Sequence, residues 1–308
     1  MEKFTMNDTT IAFIGLGLIG GSLAKGIKKA RPDIRIMAYM RTRSKLEQAK
    51  KDGIVDVILD GIDEQLKQCD LIFLCTPVEY NAQYLSKIRS YLKPGALITD
   101  VGSTKTDIHK EILRQGLTDC FVGGHPMAGS EKTGYENATD HLLENAYYIV
   151  TPPEGFNQNG CGYGNISPKY SENVKRIIAV AQTVGAIPLV LDYKEHDTVV
   201  AAISHLPHLV ASSLVNLVKD SDSPAETMKQ VAAGGFKDIT RIASSSPEMW
   251  EQICMTNSEP IADMLERYID SLQDILSEIK GHQGNAIYKL FEKSRDYRNT
   301  ITGRAKGS

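Results

Sequence analysis

Gly15-Leu16-Gly17-Leu18-Ile19-Gly20 lies between a strand-like run and a helix-like one. That is the setting in which a Gly-x-Gly-x-x-Gly loop binds a dinucleotide. Gly15 permits the tight turn, Gly17 lets the backbone approach a pyrophosphate, and Gly20 lets helix and strand pack closely. Amides of the helix N-terminus then face the phosphates. The end of the second strand chooses between cofactors. NAD enzymes usually carry an acid there to hold the ribose hydroxyls. This chain reads Ala38-Tyr39-Met40-Arg41-Thr42-Arg43-Ser44, with no acid. Arg41, Thr42 and Arg43 suit a 2′-phosphate, because guanidinium matches phosphate geometry. The cofactor is therefore NAD or NADP, with NADP favoured, or both.

Four further groups are dense in reactive residue types. Asp100-Val-Gly-Ser103-Thr-Lys105 and Gly123-Gly-His125-Pro-Met-Ala-Gly-Ser130-Glu131 fall at expected carboxyl ends of strands. Ligands of open α/β sheets bind outside such ends. Glu195-His196-Asp197 and Ser204-His205-Leu-Pro207-His208 fall in one long helical stretch, and Lys237 to Arg241 and Trp250 follow. Helical spacing puts Lys237 and Arg241 on one face. Asp197 and His208 fall near one stripe of the same helix. Pro207 removes a backbone bond there and should kink it. Ser103 also suits the N-cap of a helix starting at Lys105. Glu131 equally suits a helix start, where an acid favours the dipole.

The elements that must position these groups alternate at first. Strands are expected at 10–14, 34–39, 70–75, 96–101, 146–150 and 187–191. Helices are expected at 19–29, 43–51, 79–92, 105–114 and 171–184. Phe121-Val122 leads into a glycine turn. Such alternation predicts a parallel sheet covered on both faces. The stretch 154–170, rich in Gly and Asn, reads as a surface loop. After Asp192 no strand-like alternation returns. Helical spacing appears over 195–219, 225–233, 247–255, 260–279 and 283–297. The fold class is thus α/β, a Rossmann-type doubly wound sheet followed by an all-helical part, with domains at 1–192 and 193–308. Long apolar helices in a small domain imply a homodimer through the second part.

Composition narrows the class. The 308 residues carry a formal net charge of -3, which argues against nucleic acid as a partner. No unbroken apolar run approaches the ~18 residues of a membrane span. The N-terminus shows no secretory pattern, and five scattered cysteines form no Cys-x-x-Cys pair. A reduced, cytoplasmic enzyme is expected.

Asp-Val-Gly-Ser-Thr-Lys, Gly-Gly-His-Pro-Met-Ala-Gly-Ser-Glu, Ser-His-Leu-Pro-His and Gly-Phe-Lys-Asp-Ile-Thr-Arg stand in one order along the chain. Together they resemble the prephenate dehydrogenase family, which includes arogenate and cyclohexadienyl dehydrogenases. The resemblance runs from about Thr10 to Arg298. It implies NAD(P)-dependent oxidative decarboxylation of prephenate to 4-hydroxyphenylpyruvate, in tyrosine biosynthesis. By the same resemblance His125 is the catalytic histidine and Ser103 hydrogen-bonds the same substrate hydroxyl. Arg241 binds a carboxylate, His208 contacts substrate, and Lys237, Ser130 and Glu131 belong to the substrate side. Thr76 and Pro77 join the glycine loop at the cofactor. His205 is read as structural. The chemistry needs no Lewis acid, so no metal is expected at Asp197, His205 and His208. Only residues 298–308 follow the last helix, so a bare catalytic unit is expected. Arogenate or dual specificity stays open, as does a non-catalytic NADP-sensing protein. A β-hydroxyacid dehydrogenase, with lysine as acid/base, fits poorly with Gly-Gly-His-Pro.

Overall fold

The computed structural model describes residues 9–129, 132–153 and 168–301. Its first part alternates strand and helix: β1 (Thr10–Ile14), α1 (Leu18–Ala30), β2 (Arg35–Tyr39), α2 (Arg43–Lys51), β3 (Val57–Ile58), β4 (Leu71–Leu74), α3 (Val78–Ile88), β5 (Leu97–Asp100) and α4 (Thr106–Gln115). These five strands pair in the order β3-β2-β1-β4-β5, all parallel. The register sets Phe13 beside Ala38 and Phe73. Alternate residues then feed two cores. Ile11, Phe13 and Phe73 face one, with Leu23 and Ile27 of α1. Ala12, Ile14, Ile72 and Leu74 face the other, with Leu85 of α3 and Ile112 of α4. A strand apolar on both faces belongs in a sheet covered twice, as parallel sheets are.

The chain continues through β6 (Gly123–Pro126), β7 (Tyr147–Thr151), α5 (Pro168–Thr183) and β8 (Ile187–Val190). β6 runs antiparallel to β7, and β7 parallel to β8. A single bridge, Ile98 to Phe121, joins this sheet to the edge of the first. The expected glycine turn at Gly123-Gly-His-Pro is therefore a strand. The 79–92 helix ends at Ile88, with a 3-10 turn to Tyr91. The surface loop expected at 154–170 lies largely outside the described residues.

From Tyr193 onward every described regular element is helical: α6 (Tyr193–Val200), α7 (Leu206–Ser221), α8 (Thr227–Val231), α9 (Gly234–Thr240), α10 (Pro247–Thr256), α11 (Ser258–Lys280) and α12 (Gly284–Thr300). Helix α8 is shorter than the expected 225–233. Between α6 and α7, Ala201–His205 form a π-helical turn that ends two residues before Pro207. Proline has no N–H for the helix ladder, and the wider turn absorbs the mismatch. The kink expected at Pro207 thus takes the form of a π-bulge inside one 29-residue helical run. By length and composition alone that run is long and apolar enough to cross a membrane, although no unbroken apolar stretch in it reaches ~18 residues. Its buried His196, Asp197 and His205 bond to other parts of this fold.

Candidate active site

The glycine loop fits a dinucleotide. Gly15 has φ +93, and a Cβ there would sit 2.6 Å from the Cys75 carbonyl oxygen. Only glycine takes that turn without strain. A Cβ on Gly17 would meet nothing within 4 Å, so its backbone faces open space at the start of α1. No side chain caps that helix, and its first amides remain available to an anion. Leu16 is buried in the core; Leu18 and Ile19 are partly open in the first turn. Thr76 donates to Asn81 Oδ1 at 2.9 Å, and Pro77 precedes α3 at the neighbouring strand end. At the end of β2, Arg41 is exposed, and Thr42 stands at the N-terminus of α2. Arg43 is tied to Asp60 and Glu47 on the surface, which sets it apart from Arg41.

A buried polar cluster forms where β5 and β6 end. Lys105 and Asp100 are both fully buried and paired through Nζ and Oδ2. Lys105 Nζ also donates to the Gly124 carbonyl at 2.8 Å. Asp100 accepts the Gly102 and Gly124 amides at 2.9 and 3.1 Å. Burial pushes the Lys105 ammonium below its ordinary range, and Asp100 opposes that. Gly124 has to be small here: a Cβ would lie 2.7 Å from the Asp100 carbonyl oxygen.

His125 follows on β6. Its Nδ1 lies 2.8 Å from His196 Nε2, on α6. Burial, then the neighbouring His196, Lys105 and His205, hold its imidazole well below the ordinary histidine range. It is therefore neutral near pH 7. Part of its surface stays open. Ser103 does not cap α4. That end is capped by Asp197, which accepts the Lys105 and Thr106 amides at 2.8 and 2.7 Å. The Ser103 side chain is partly exposed in the loop between β5 and Lys105.

The helical part adds a second row. His205, buried, accepts from Asn257 at 3.1 Å, as expected of a structural histidine. Its ring meets the Trp250 edge at 5.9 Å. His208 stacks on Trp250 at 3.9 Å and donates from Nδ1 to the Ser204 carbonyl at 2.8 Å. Burial lowers the His208 pKa, and Arg241 lowers it further. Arg241 and Lys237 lie one turn apart on α9 and the 3-10 turn after it, both exposed. The π turn at Ala201–His205 interrupts regular helical spacing between Asp197 and His208; Asp197 caps α4, whereas His208 stacks on Trp250. Ser130 and Glu131 lie outside the described residues.

His196 and Lys105 are site residues that spacing along the sequence does not single out. A charged pair and a His-Asp dipeptide were the available signals, and both are weak alone.

The comparisons with known proteins agree along the chain. A family model described as prephenate dehydrogenase, nucleotide-binding domain, matches residues 23–160. A second, described as prephenate dehydrogenase, dimerization domain, matches residues 192–293. A prephenate dehydrogenase of Bacillus subtilis is 36% identical over 97% of this chain and 78% of its own. A crystal structure of prephenate dehydrogenase from A. aeolicus, in complex with hydroxyphenyl propionate and NAD+, superposes with a TM-score of 0.84. It is 30% identical, over 96% of this chain and 98% of its own. An arogenate dehydrogenase of Synechocystis superposes with a TM-score of 0.80, at 28% identity over 96% of this chain and 100% of its own. With both halves matched and a 36% identical relative spanning nearly all of it, the chain belongs to the prephenate dehydrogenase family.

Proposed function

We propose that this enzyme converts prephenate to 4-hydroxyphenylpyruvate by NAD(P)-dependent oxidative decarboxylation, with His125 as the proton acceptor. The observation that carries this reading is a neutral, partly open imidazole on β6, next to the buried Lys105–Asp100 pair at the end of β5. Prephenate is a ring alcohol with two carboxylates. A bound nicotinamide supplies the acceptor for the hydride of the carbinol carbon. His125 takes the proton as the substrate O–H bond breaks. The bond to the ring carboxylate then cleaves, carbon dioxide leaves, and its electron pair enters the ring, which becomes aromatic. His125 returns its proton to the phenol oxygen, so the enzyme ends as it began.

Ser103 is proposed to hydrogen-bond the same hydroxyl. Arg241 meets a carboxylate with its planar fork, with His208 and Lys237 beside it. Ser130 and Glu131 are assigned to the substrate side from sequence alone. The loop Gly15 to Gly20, with Thr76 and Pro77, is assigned to the cofactor. The lack of an acid after β2 and the exposed Arg41 support a preference for NADP, with Thr42 and, once released from Asp60, Arg43 as further donors. We infer a division of labour at residue 192. A homodimer through the helical part is supported by a stripe on α11: Ile269, Leu272, Leu276 and Ile279 are 44%, 45%, 50% and 57% exposed. Stripes of this kind mark interfaces. The cytoplasm is the expected compartment.

Steady-state kinetics with prephenate and arogenate, each with NAD and NADP, tests this reading. Reduced cofactor is expected to appear with prephenate, and His125→Asn should bind cofactor while losing about 10²–10⁴ in kcat. No reduction with prephenate overturns the function. A higher kcat/KM for arogenate overturns the substrate, and the ratio for the two cofactors decides the NADP preference.

A further inference from the structure

His196, on the first turn of α6, is fully buried between two partners. Its Nε2 lies 2.8 Å from His125 Nδ1, and its Nδ1 lies 2.8 Å from Asp197 Oδ1. Asp197 is 1% exposed and accepts two amides at the start of α4. Burial raises the Asp197 carboxyl, but the bonds from His196 and Thr106 outweigh it and leave it below the usual range. It is a carboxylate near pH 7. Burial also keeps His196 below the ordinary histidine range, against the pull of Asp197.

These three groups admit one arrangement of protons. A carboxylate only accepts, so His196 carries its proton on Nδ1. Neutral His196 then offers a lone pair at Nε2, and His125 must donate from Nδ1. Neutral His125 is left with its lone pair on Nε2. No hydrogen bond to that atom is made among the described residues.

We propose that His196 and Asp197 are positioning residues that fix His125 as the Nδ1–H tautomer and so present Nε2 as the base. This rests on the reading of His125 as proton acceptor. In the reaction the substrate O–H bond breaks and an Nε2–H bond forms on His125. The resulting imidazolium is steadied through His196 by the Asp197 carboxylate, and each proton of the relay stays on its own ring. The same logic orients the histidine of a serine-protease triad, where a carboxylate selects the tautomer. Other charged or titratable groups facing His125 are Lys105 and His205. Lys105 is offset by its pair with Asp100. His205 is held down to about 4 by burial and is neutral near pH 7.

The test combines tautomer and kinetics on the full chain. Nitrogen NMR of ¹⁵N-histidine protein, with and without NAD+, reads which ring nitrogen of His125 bears hydrogen. Nδ1–H is expected; Nε2–H in the wild type overturns the proposal even if no variant folds. His196→Leu should lower kcat about 10- to 100-fold, a share of what general-base help supplies. KM for prephenate and cofactor should stay within about twofold, since no binding contact is removed. His196→Gln keeps an acceptor for His125 Nδ1–H and should restore most of kcat. Full kcat and an unchanged pH profile in His196→Leu, with His125→Asn inactive, overturn the relay and leave the base reading intact. Full kcat in His125→Asn removes the base reading, and the proposal with it.

Discussion

Replacing Lys105 by methionine keeps most of the stem and removes a fully buried charge. Asp100 would then hold its negative charge, at 0% exposure, against only the Gly102 and Gly124 amides, at 2.9 and 3.1 Å. The Gly124 carbonyl would lose its donor as well. Breaking a buried pair from one side costs about 3–5 kcal/mol, because the remaining charge is uncompensated. With a urea slope near 3 kcal/mol/M, the unfolding midpoint should fall by about 1–2 M. Asp100→Asn combined with Lys105→Met removes both charges and should recover part of the loss. The coupling in that double-mutant cycle should lie between about 0.5 and 3 kcal/mol. Catalysis supplies a second readout. Lys105 is one of the groups holding the His125 pKa down. Without it imidazolium is less disfavoured, so the acidic limb of kcat/KM moves to higher pH. A single-variant loss below about 1 kcal/mol, the range of exposed pairs, would refute the reasoning. So would a cycle with no coupling.

Three other outcomes follow from the same geometry. His109 is pushed down to about 3, and His205 to about 4, mainly by burial. Their folded values lie below the unfolded one, so the unfolded chain binds protons first and stability falls as pH drops from 6.5 through 4 to 3. His109→Gln, which can keep the bond to Thr151, should flatten that fall by several kcal/mol in chemical denaturation at stepped pH; an unchanged slope refutes it. Arg241→Ala should raise KM for prephenate by about 10- to 100-fold, as loss of a charge-assisted bond of ~1.5–3 kcal/mol implies; a KM within twofold of wild type would place Arg241 outside the carboxylate site. Leu276→Glu puts a charge in the apolar stripe of α11 and should convert a dimer to monomers in analytical ultracentrifugation, whereas an unshifted mass would move the interface elsewhere.

The parts legible in the sequence were those set by local pattern. Strands β1, β2, β4 and β5 have short apolar runs bounded by glycine or proline. Helix α2 has its expected limits, 43–51, and the long run 260–279 lies within α11. What escaped depends on contacts far along the chain. Gly123-Gly-His-Pro has poor strand propensity. It becomes a strand by pairing with β7, and its two glycines let the backbone lie against Asp100, Tyr148 and Thr151, where a Cβ would not fit. The cap of α4 looked like Ser103, two residues before Lys105. It is Asp197, about ninety residues later. The same distance hid the partnership of His125 with His196. Two-residue β3 is too short for any periodicity to reveal. The Pro207 distortion was legible as a kink, but its form as a π turn was not.

The placement of charge explains why two parts are needed for one reaction. A proton acceptor works best when nothing nearby already favours its loss of basicity beyond need. Around His125 the Lys105 ammonium is paired with Asp100, and the histidines His196 and His205 are kept neutral by burial. A dianionic substrate nevertheless requires cations, and a chain of net charge -3 offers no general attraction. Setting guanidinium beside His125 would meet the carboxylates but depress the base further. Here Arg241 and Lys237 stand instead on the helical part, at α9 and the turn after it, with Arg241 near His208. One helical run links the two environments. Its first turns hold His196 and Asp197 against the sheet, and after the π turn it holds His208 near Arg241. Under the proposed roles the base contacts the start of one helical run and Arg241 lies near its far end, so that base and cation are kept apart.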